Sequence, residues 1–132
     1  MPTIKKLEDL IVWQRARSLC KKVYALTFEP PISLDFRYKD QVRGSCGSIM
    51  DNIAEGFERG SRLEFINHLG YAKGESGELK SQLYRGWDVG YLSQTQFDEL
   101  YLETDHVAGS LARLISYLNR SSIKGQKFEG RK

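Results

Sequence analysis

Apolar residues recur every three or four positions along most of this 132-residue chain, which is the spacing of one face of an α-helix. Proline and glycine positions divide the pattern into four stretches. The pattern therefore predicts helices over about residues 10–28, 36–58, 62–89 and 95–119. Four helices of these lengths, joined by short loops, form an all-α, antiparallel, up-and-down four-helix bundle.

Capping and breaking residues predict where the helices begin and end. Asp9 is expected to cap the first helix, and Pro30 and Pro31 end it because neither ring can extend the backbone hydrogen bonds. The segments 61–64 (Ser-Arg-Leu-Glu) and 95–98 (Thr-Gln-Phe-Asp) have the spacing of capping boxes. They are predicted to open the third and fourth helices.

The residues predicted to be buried share the apolar face of each helix. They are Val12, Ala16, Leu19, Val23, Val42, Cys46, Ile49, Ile53, Phe65, Leu69, Leu79, Leu83, Val107, Leu111, Leu114 and Leu118. Cys20 and Cys46 both lie on apolar faces, where free cysteine commonly behaves as a small hydrophobe. We interpret them as reduced core residues, although the two thiols could in principle pair.

The length and charge predict one domain, at residues 1–120, followed by a basic tail at 121–132 that is expected to be disordered. Residues 120–132 carry a net charge of +4, so the rest of the chain carries −1 of the total of +3. The longest apolar run, residues 10–13, is too short to span a membrane, and no apolar stretch follows the N-terminal lysines. We therefore expect a cytoplasmic protein without a membrane partner.

One arc of the first helix is polar and contains no acidic residue. Its members are Gln14, Arg15, Arg17, Ser18, Lys21 and Lys22, and we call this arc the α1 basic face. Such an arc is either an ordinary solvated surface or a surface that binds phosphates. Arg43, Arg59 and Arg62, predicted near the corner between helices 2 and 3, complete the candidate nucleic-acid-binding set with Arg15, Arg17, Lys21 and Lys22.

Glycines occur inside the second and third helices, roughly opposite each apolar stripe. They are Gly44 and Gly47 on helix 2, and Gly70, Gly74 and Gly77 on helix 3, which we call together the glycine face. Each costs about 0.8 to 1 kcal/mol relative to alanine in a helix interior. Close approach of a second subunit would explain them, whereas the alternative is that some cap or kink a helix.

Catalytic and metal-binding patterns are weak. A dinuclear site in a helical bundle needs two Glu-x-x-His pairs, and this chain has one, Glu103 with His106. His106 falls on the acidic outer face of helix 4, and His68 lies at the edge of the helix 3 stripe. We therefore predict a surface histidine and a hydrogen-bonded boundary histidine, with no metal, no cofactor and no catalytic residue.

Three segments of the chain resemble one protein family. They are residues 10–14 (Leu-Ile-Val-Trp-Gln), residues 41–59 with Asn52-Ile53-Ala54-Glu55-Gly56 at their centre, and residues 65–79. The chain resembles the four-helix bundle proteins encoded in intervening sequences of bacterial 23S rRNA genes. The resemblance implies an up-and-down bundle that assembles as a homopentamer. Distant relatives are nucleic-acid-binding accessory subunits of diversity-generating reverse transcriptases, so RNA, DNA, a reverse transcriptase or a ribosomal component is the implied partner.

The family's pattern maps onto single residues of this chain. The matching positions are Trp13, Gln14, Gln41, Arg43, Asn52, Glu55, Gly56, Arg59, Phe65 and Glu78. Asn52, Glu55 and Arg59 share one edge of helix 2 and are predicted to form a structural polar network. At residues 42–45 this chain has one arginine where the family tends to place two adjacent basic residues.

Two functions from different classes follow from these observations. The leading hypothesis is a non-enzymatic oligomeric bundle that binds RNA or DNA through phosphates, as an accessory or structural factor. The alternative is an oligomeric protein-interaction scaffold without nucleic-acid binding. They differ in whether the basic faces converge in the assembly.

Overall fold

The computed structural model describes residues 4–124 of the chain, with side chains to residue 121. It contains α1 (Ile11–Thr27), α2 (Phe36–Glu58), α3 (Arg62–Asp88) and α4 (Gln94–Lys124), and single 3-10 turns at Leu7–Asp9 and Ile32–Leu34. Residues 4–124 include no strand. Helices α1 and α3 each pack against both α2 and α4, so the four surround one core. The predicted all-α four-helix bundle is confirmed.

The core consists of the predicted apolar stripes. Ile49, Ile53, Leu69, Leu79 and Leu111 are fully buried. The other residues predicted to be buried are also in the core, except that Phe65 and Leu114 are only partly buried and pack against it. The 3.6-residue period therefore identified the inner face of all four helices.

Two of the predicted helix caps were wrong. Asp9 accepts hydrogen bonds from the backbone amides of Lys5 and Lys6 in the 3-10 turn, and α1 begins after Leu10 without a side-chain cap. The capping box of α4 lies two residues before the predicted one. There the Ser93 hydroxyl accepts from the Gln96 amide, and the Gln96 side chain accepts from the Ser93 amide. Its longer glutamine side chain reaches back to the cap, as this motif requires.

The last helix is longer than predicted. Helix α4 continues to Lys124 rather than ending near residue 119, so it enters the segment predicted as a tail. Residues 125–132, the rest of that predicted tail, lie outside the described residues.

Two glycines allow α2 and α3 to approach closely, one near each end of the pair. A Cβ atom on Gly56 would lie 2.7 Å from Cβ of His68. A Cβ atom on Gly86 would collide with the hydroxyl of Tyr38 and lie 3.0 Å from its Cζ atom. Tyr38 is buried and donates a hydrogen bond of 2.7 Å to the carbonyl of Gln82. Its ring therefore has little freedom to move away.

Replacing Gly86 with alanine is expected to lower the free energy of unfolding by about 1–3 kcal/mol, because the new methyl group overpacks the site against Tyr38. The matched control is Gly109→Ala in α4. There the new methyl group meets only the flexible end of Arg113, at 3.3 Å, and helix propensity favours alanine by about 0.8–1 kcal/mol. Urea denaturation of both variants tests this. A Gly86→Ala variant as stable as the wild type would show that α2 and α3 are not in such close contact there.

Candidate nucleic-acid interface and glycine face

The α1 basic face surrounds a shallow surface depression. Gln14, Arg17, Ser18, Lys21 and Lys22 line this depression, which has a volume of about 480 Å³. Arg15, Arg17 and Lys21 are exposed. Among the residues with described side chains, no acidic group forms an ion pair with Arg17 or Lys21. These two cations therefore face solvent with their charge unneutralised.

The other two cations of this face interact with α4. Lys22 Nζ lies 2.6 Å from Glu103 Oε1 and 3.3 Å from Glu99 Oε2, and the hydrogen bond to Glu103 raises the pKa of Lys22. Arg15 donates a hydrogen bond of 3.2 Å to the Ser110 hydroxyl. The arc holds no acid of its own, but the neighbouring helix places two acids against one end of it.

Arg43 lies far from the corner between α2 and α3, so its predicted location was wrong. Its Nε donates a hydrogen bond of 2.8 Å to the hydroxyl of the buried Thr27. Its guanidinium carbon lies 4.7 Å and 5.0 Å from the ring centroids of Tyr24 and Phe28. The antiparallel arrangement places the first turns of α2 beside the end of α1, about 24 Å along the helix from Arg59. Arg43 thus joins α1 to α2.

Arg59 and Arg62 do lie at the corner between α2 and α3. Arg59 bridges two acids, with Nη2 at 2.7 Å from Glu55 Oε2 and Nη1 at 3.1 Å from Glu64 Oε1. Arg62 is buried, with 8% of its surface exposed. The seven candidate cations are therefore not one surface: four belong to α1, two to this corner and one to the opposite end of α2.

A structural polar network connects α2 to α3 beside this corner, as predicted. The Nδ1 atom of His68 lies 3.1 Å from Oδ1 of Asn52, and its Nε2 atom lies 4.0 Å from Oε2 of Glu55. The hydrogen bond from Arg59, followed by the charge of His68, lowers the pKa of Glu55. His68 is thus a hydrogen-bonded residue at the core boundary, as expected, with Asn52 as its partner.

The glycine face is open on its outer side. A Cβ atom built on Gly44, Gly47, Gly70, Gly74 or Gly77 would meet no atom within 4 Å. All five lie within the uninterrupted helices α2 and α3, so none of them caps a helix end. Their position opposite the core is confirmed, and packing among the described residues of one chain does not account for them.

An acidic groove runs between α2 and α3 beside the glycine face. It has a volume of about 530 Å³ and is lined by Asp40, Gln41, Gly44, Ser45, Ser48, Glu75, Glu78, Ser81, Gln82 and Arg85. Burial, followed by the charge of Glu78, raises the pKa of Glu75. The Oε1 atom of Gln82 is buried and has no hydrogen-bond partner within residues 4–121. The groove was not predicted from the sequence. Its one signal there was Gln82, a polar residue next to Leu83 at the edge of the apolar stripe of α3.

A hydrogen-bonded cluster joins the start of α2 to the loop between α3 and α4. The carboxylate of Asp35 accepts from the Tyr91 hydroxyl at 2.6 Å and from the Tyr38 amide at 3.0 Å. These bonds, that of Tyr91 first, lower the pKa of Asp35. Burial raises the pKa of Tyr38 to about 12. A polar depression of about 500 Å³ lies beside the cluster, and Arg37, Gln41 and Arg85 also line it.

His106 and Glu103 do not come together as a metal site. His106 is exposed, as predicted, and Glu103 pairs with Lys22 instead. Among the described residues, no three histidine, cysteine, aspartate or glutamate side chains are grouped so that they could hold a metal ion. Within the same part of the chain, no helix combines the length and apolar character needed to cross a bilayer.

The fold and these surfaces define a small up-and-down four-helix bundle protein. The chain belongs to the 23S rRNA-intervening sequence protein family, whose sequence model matches residues 8–113. It is also similar to a solved structure described as a protein of unknown function from the S23 ribosomal protein family of Bacteroides thetaiotaomicron. The two share 23% identity and a TM-score of 0.74, over 80% of this chain and 96% of that one, which supports the fold. No curated protein matches the sequence.

Replacing Asp35 with alanine is expected to lower the melting temperature at neutral pH, because the Tyr91 hydroxyl and the Tyr38 amide lose their acceptor. A carboxylate whose pKa is lowered by folding stabilises the fold fully at pH values above the pKa it has in the unfolded chain, about 3.9. This stabilisation is lost as the pH falls from there through the pKa of the folded state. The gap in melting temperature between wild type and variant should therefore stay constant from about pH 7 to pH 5 and narrow below about pH 4.

The control for this prediction is Tyr91→Phe, which removes one donor and keeps the carboxylate, so it should show a smaller gap that narrows over the same pH range. Thermal melts followed by circular dichroism measure both variants. A gap for Asp35→Ala that persists unchanged to about pH 2 would contradict the assignment of the lowered pKa to these hydrogen bonds.

Proposed function

We propose that this protein is a non-enzymatic, cytoplasmic homo-oligomer that binds RNA or DNA through phosphate groups, as an accessory or structural factor. The observation that carries the proposal is the α1 basic face, where Arg17 and Lys21 are exposed beside Arg15 and form no ion pair with any described acidic side chain. Arginine and lysine side chains that face solvent are the groups that neutralise phosphates and release condensed counterions.

Oligomerisation is supported by the glycine face. Five glycines within helices cost about 4 to 5 kcal/mol in helix propensity, against a total stability of about 5 to 15 kcal/mol for a typical domain. Their outer sides are open, so contacts with the described part of the same chain do not offset this cost. A helix of a second subunit lying against the glycine face would do so, because backbones approach closely where side chains are absent. We propose a homopentamer, the assembly implied by the family resemblance.

Assembly would also change the electrostatics. Residues 1–119 of one subunit carry a net charge of −1 and attract a polyanion weakly. A ring, in contrast, repeats the α1 basic face once for each subunit. Phosphate contacts then accumulate, and binding weakens steeply as salt is added. The face holds one glutamine among its cations, so we expect phosphate contacts to dominate over base contacts and sequence preference to be small.

A protein-interaction scaffold is the second candidate, and the acidic groove favours it. Asp40, Glu75 and Glu78 lie beside the glycine face and would repel phosphate. Lys22, Arg59 and Arg43 are occupied by contacts within the chain. If the α1 basic face is an ordinary solvated surface, the glycine face remains as the principal contact surface of the protein.

Replacing Gly74 with leucine should dissociate the oligomer, because a large side chain at a close helix contact causes overpacking. Light scattering at micromolar concentration should then give the 15.2 kDa mass of one chain, while the wild type gives a multiple of it. The control is His106→Leu, which adds an exposed leucine on α4, and it should keep the wild-type mass. A monomeric wild type would refute oligomerisation. An intact and more stable Gly74→Leu oligomer would place the subunit contact elsewhere.

Replacing Arg17 and Lys21 together with glutamine should weaken binding to an RNA hairpin and a DNA duplex about tenfold or more at about 50 mM salt. Affinity of the wild type should fall steeply between about 50 and 200 mM salt, and the variant should show a shallower dependence because fewer counterions are released. The charge-matched control is Lys73→Gln with Arg120→Gln, which removes two exposed cations from other helices. It should retain most of the binding.

Filter binding or fluorescence anisotropy measures these affinities after light scattering has confirmed equal oligomer masses. Deleting residues 121–132 separates the tail from the face. Absence of binding to either polymer at low salt would favour the scaffold. Loss of binding through the deletion alone would show that the α1 basic face does not contact phosphates.

A further inference from the structure

The two cysteines of the chain lie against each other across the interface between α1 and α2. They are 26 residues apart in sequence, yet their sulfur atoms are 3.2 Å apart. Both are free thiols; Cys46 is fully buried, and Cys20 is partly exposed. Cys20 is therefore the residue of the pair that a small oxidant from solvent would meet first, and the Cys46 sulfur lies in contact with its sulfur.

We propose that Cys20 and Cys46 form an oxidation site, at which a hydroperoxide converts the two thiols into one disulfide that joins α1 to α2. A disulfide has a sulfur–sulfur distance of about 2.05 Å, so the sulfurs need to move together by only about 1 Å. The reduced pair is the state expected in a reducing compartment, where disulfides are usually transient and respond to oxidants.

The chemistry assigns different roles to the two sulfurs. The Cys20 thiol first loses its proton, and the thiolate attacks the terminal oxygen of the peroxide. The oxygen–oxygen bond breaks, Cys20 becomes a sulfenic acid, and the departing hydroxide or alkoxide takes up one proton from solvent, equivalent to the one that Cys20 released, so that water or an alcohol leaves. The Cys46 sulfur then attacks Sγ of Cys20, the sulfur–oxygen bond breaks, and the hydroxyl leaves as water with the proton of Cys46. Two electrons pass from the two thiols to one peroxide, so no other reactant is needed.

The surroundings support these roles. The hydrogen bond between the two sulfur atoms lowers the pKa of Cys20 and raises that of Cys46, which favours the thiolate on the more exposed residue. The Cys46 thiol also lies 3.5 Å from the carbonyl oxygen of Arg43, a second acceptor one helical turn away. Once Cys20 is oxidised to a sulfenic acid, the Cys46 thiol is therefore in place to form the disulfide before Cys20 is oxidised further.

The test treats the purified full-length chain with hydrogen peroxide, with glutathione oxidised in parallel as a control. Alkylation after denaturation should show loss of both thiols per chain, the intact mass should fall by two hydrogen atoms, and a reductant should restore both. Proteolysis should yield one cross-linked peptide containing Cys20 and Cys46. The oxidised chain should melt at a higher temperature, because the new bond restricts the unfolded state.

Two variants test the order of the steps and do not depend on the cross-link. In Cys46→Ala, a sulfenic acid should accumulate at Cys20 and be trapped by dimedone, whereas Cys20→Ala should give little adduct. Circular dichroism confirms that each variant is folded. The proposal is overturned if both wild-type thiols stay alkylatable after glutathione is fully oxidised, if only disulfides between chains form, or if Cys20 proceeds to a sulfinic acid without cross-linking.

Discussion

The close approach of α2 and α3 is the constraint on which the rest of the structure depends. Gly56 lies against Cβ of His68 near one end of the pair, and Gly86 lies against the ring of Tyr38 near the other. With both ends held, the apolar stripes between them face inward, where Ile53 and Leu79 are fully buried. The same geometry places the remaining glycines of both helices on the outside. The glycine face and the adjacent groove therefore follow from the way α2 packs against α3.

The arginine and lysine side chains of this bundle have different roles because their neighbours differ. Arg43 contacts Thr27 and two aromatic rings, and Arg59 bridges acids on two helices, so both side chains are engaged within the bundle. Arg17 and Lys21 project from α1 without an acidic partner among the described side chains. Surface ion pairs contribute little to stability, typically 1 kcal/mol or less. The more informative property of each cation is whether its charge remains available to a ligand.

Most of the fold could be predicted from the sequence because a helix is a local structure. The 3.6-residue period in residues 36–58 depends only on neighbours three and four positions apart, and α2 was predicted correctly at both ends. The caps were harder, since Ser93 and Thr95 offer overlapping patterns and only the three-dimensional geometry distinguishes them. Contacts between helices were out of reach. The pairing of Lys22 with Glu99 and Glu103, and of Cys20 with Cys46, depends on which helices become neighbours.

We propose that the open glycine face is a contact between subunits. An experimental structure of the purified protein as it exists in solution, by electron cryomicroscopy or crystallography, measures this most directly. We expect a closed ring in which a neighbouring subunit lies in van der Waals contact with Gly44, Gly47, Gly70, Gly74 or Gly77. A monomer with these glycines exposed to solvent, or a ring whose contacts avoid them, would contradict it.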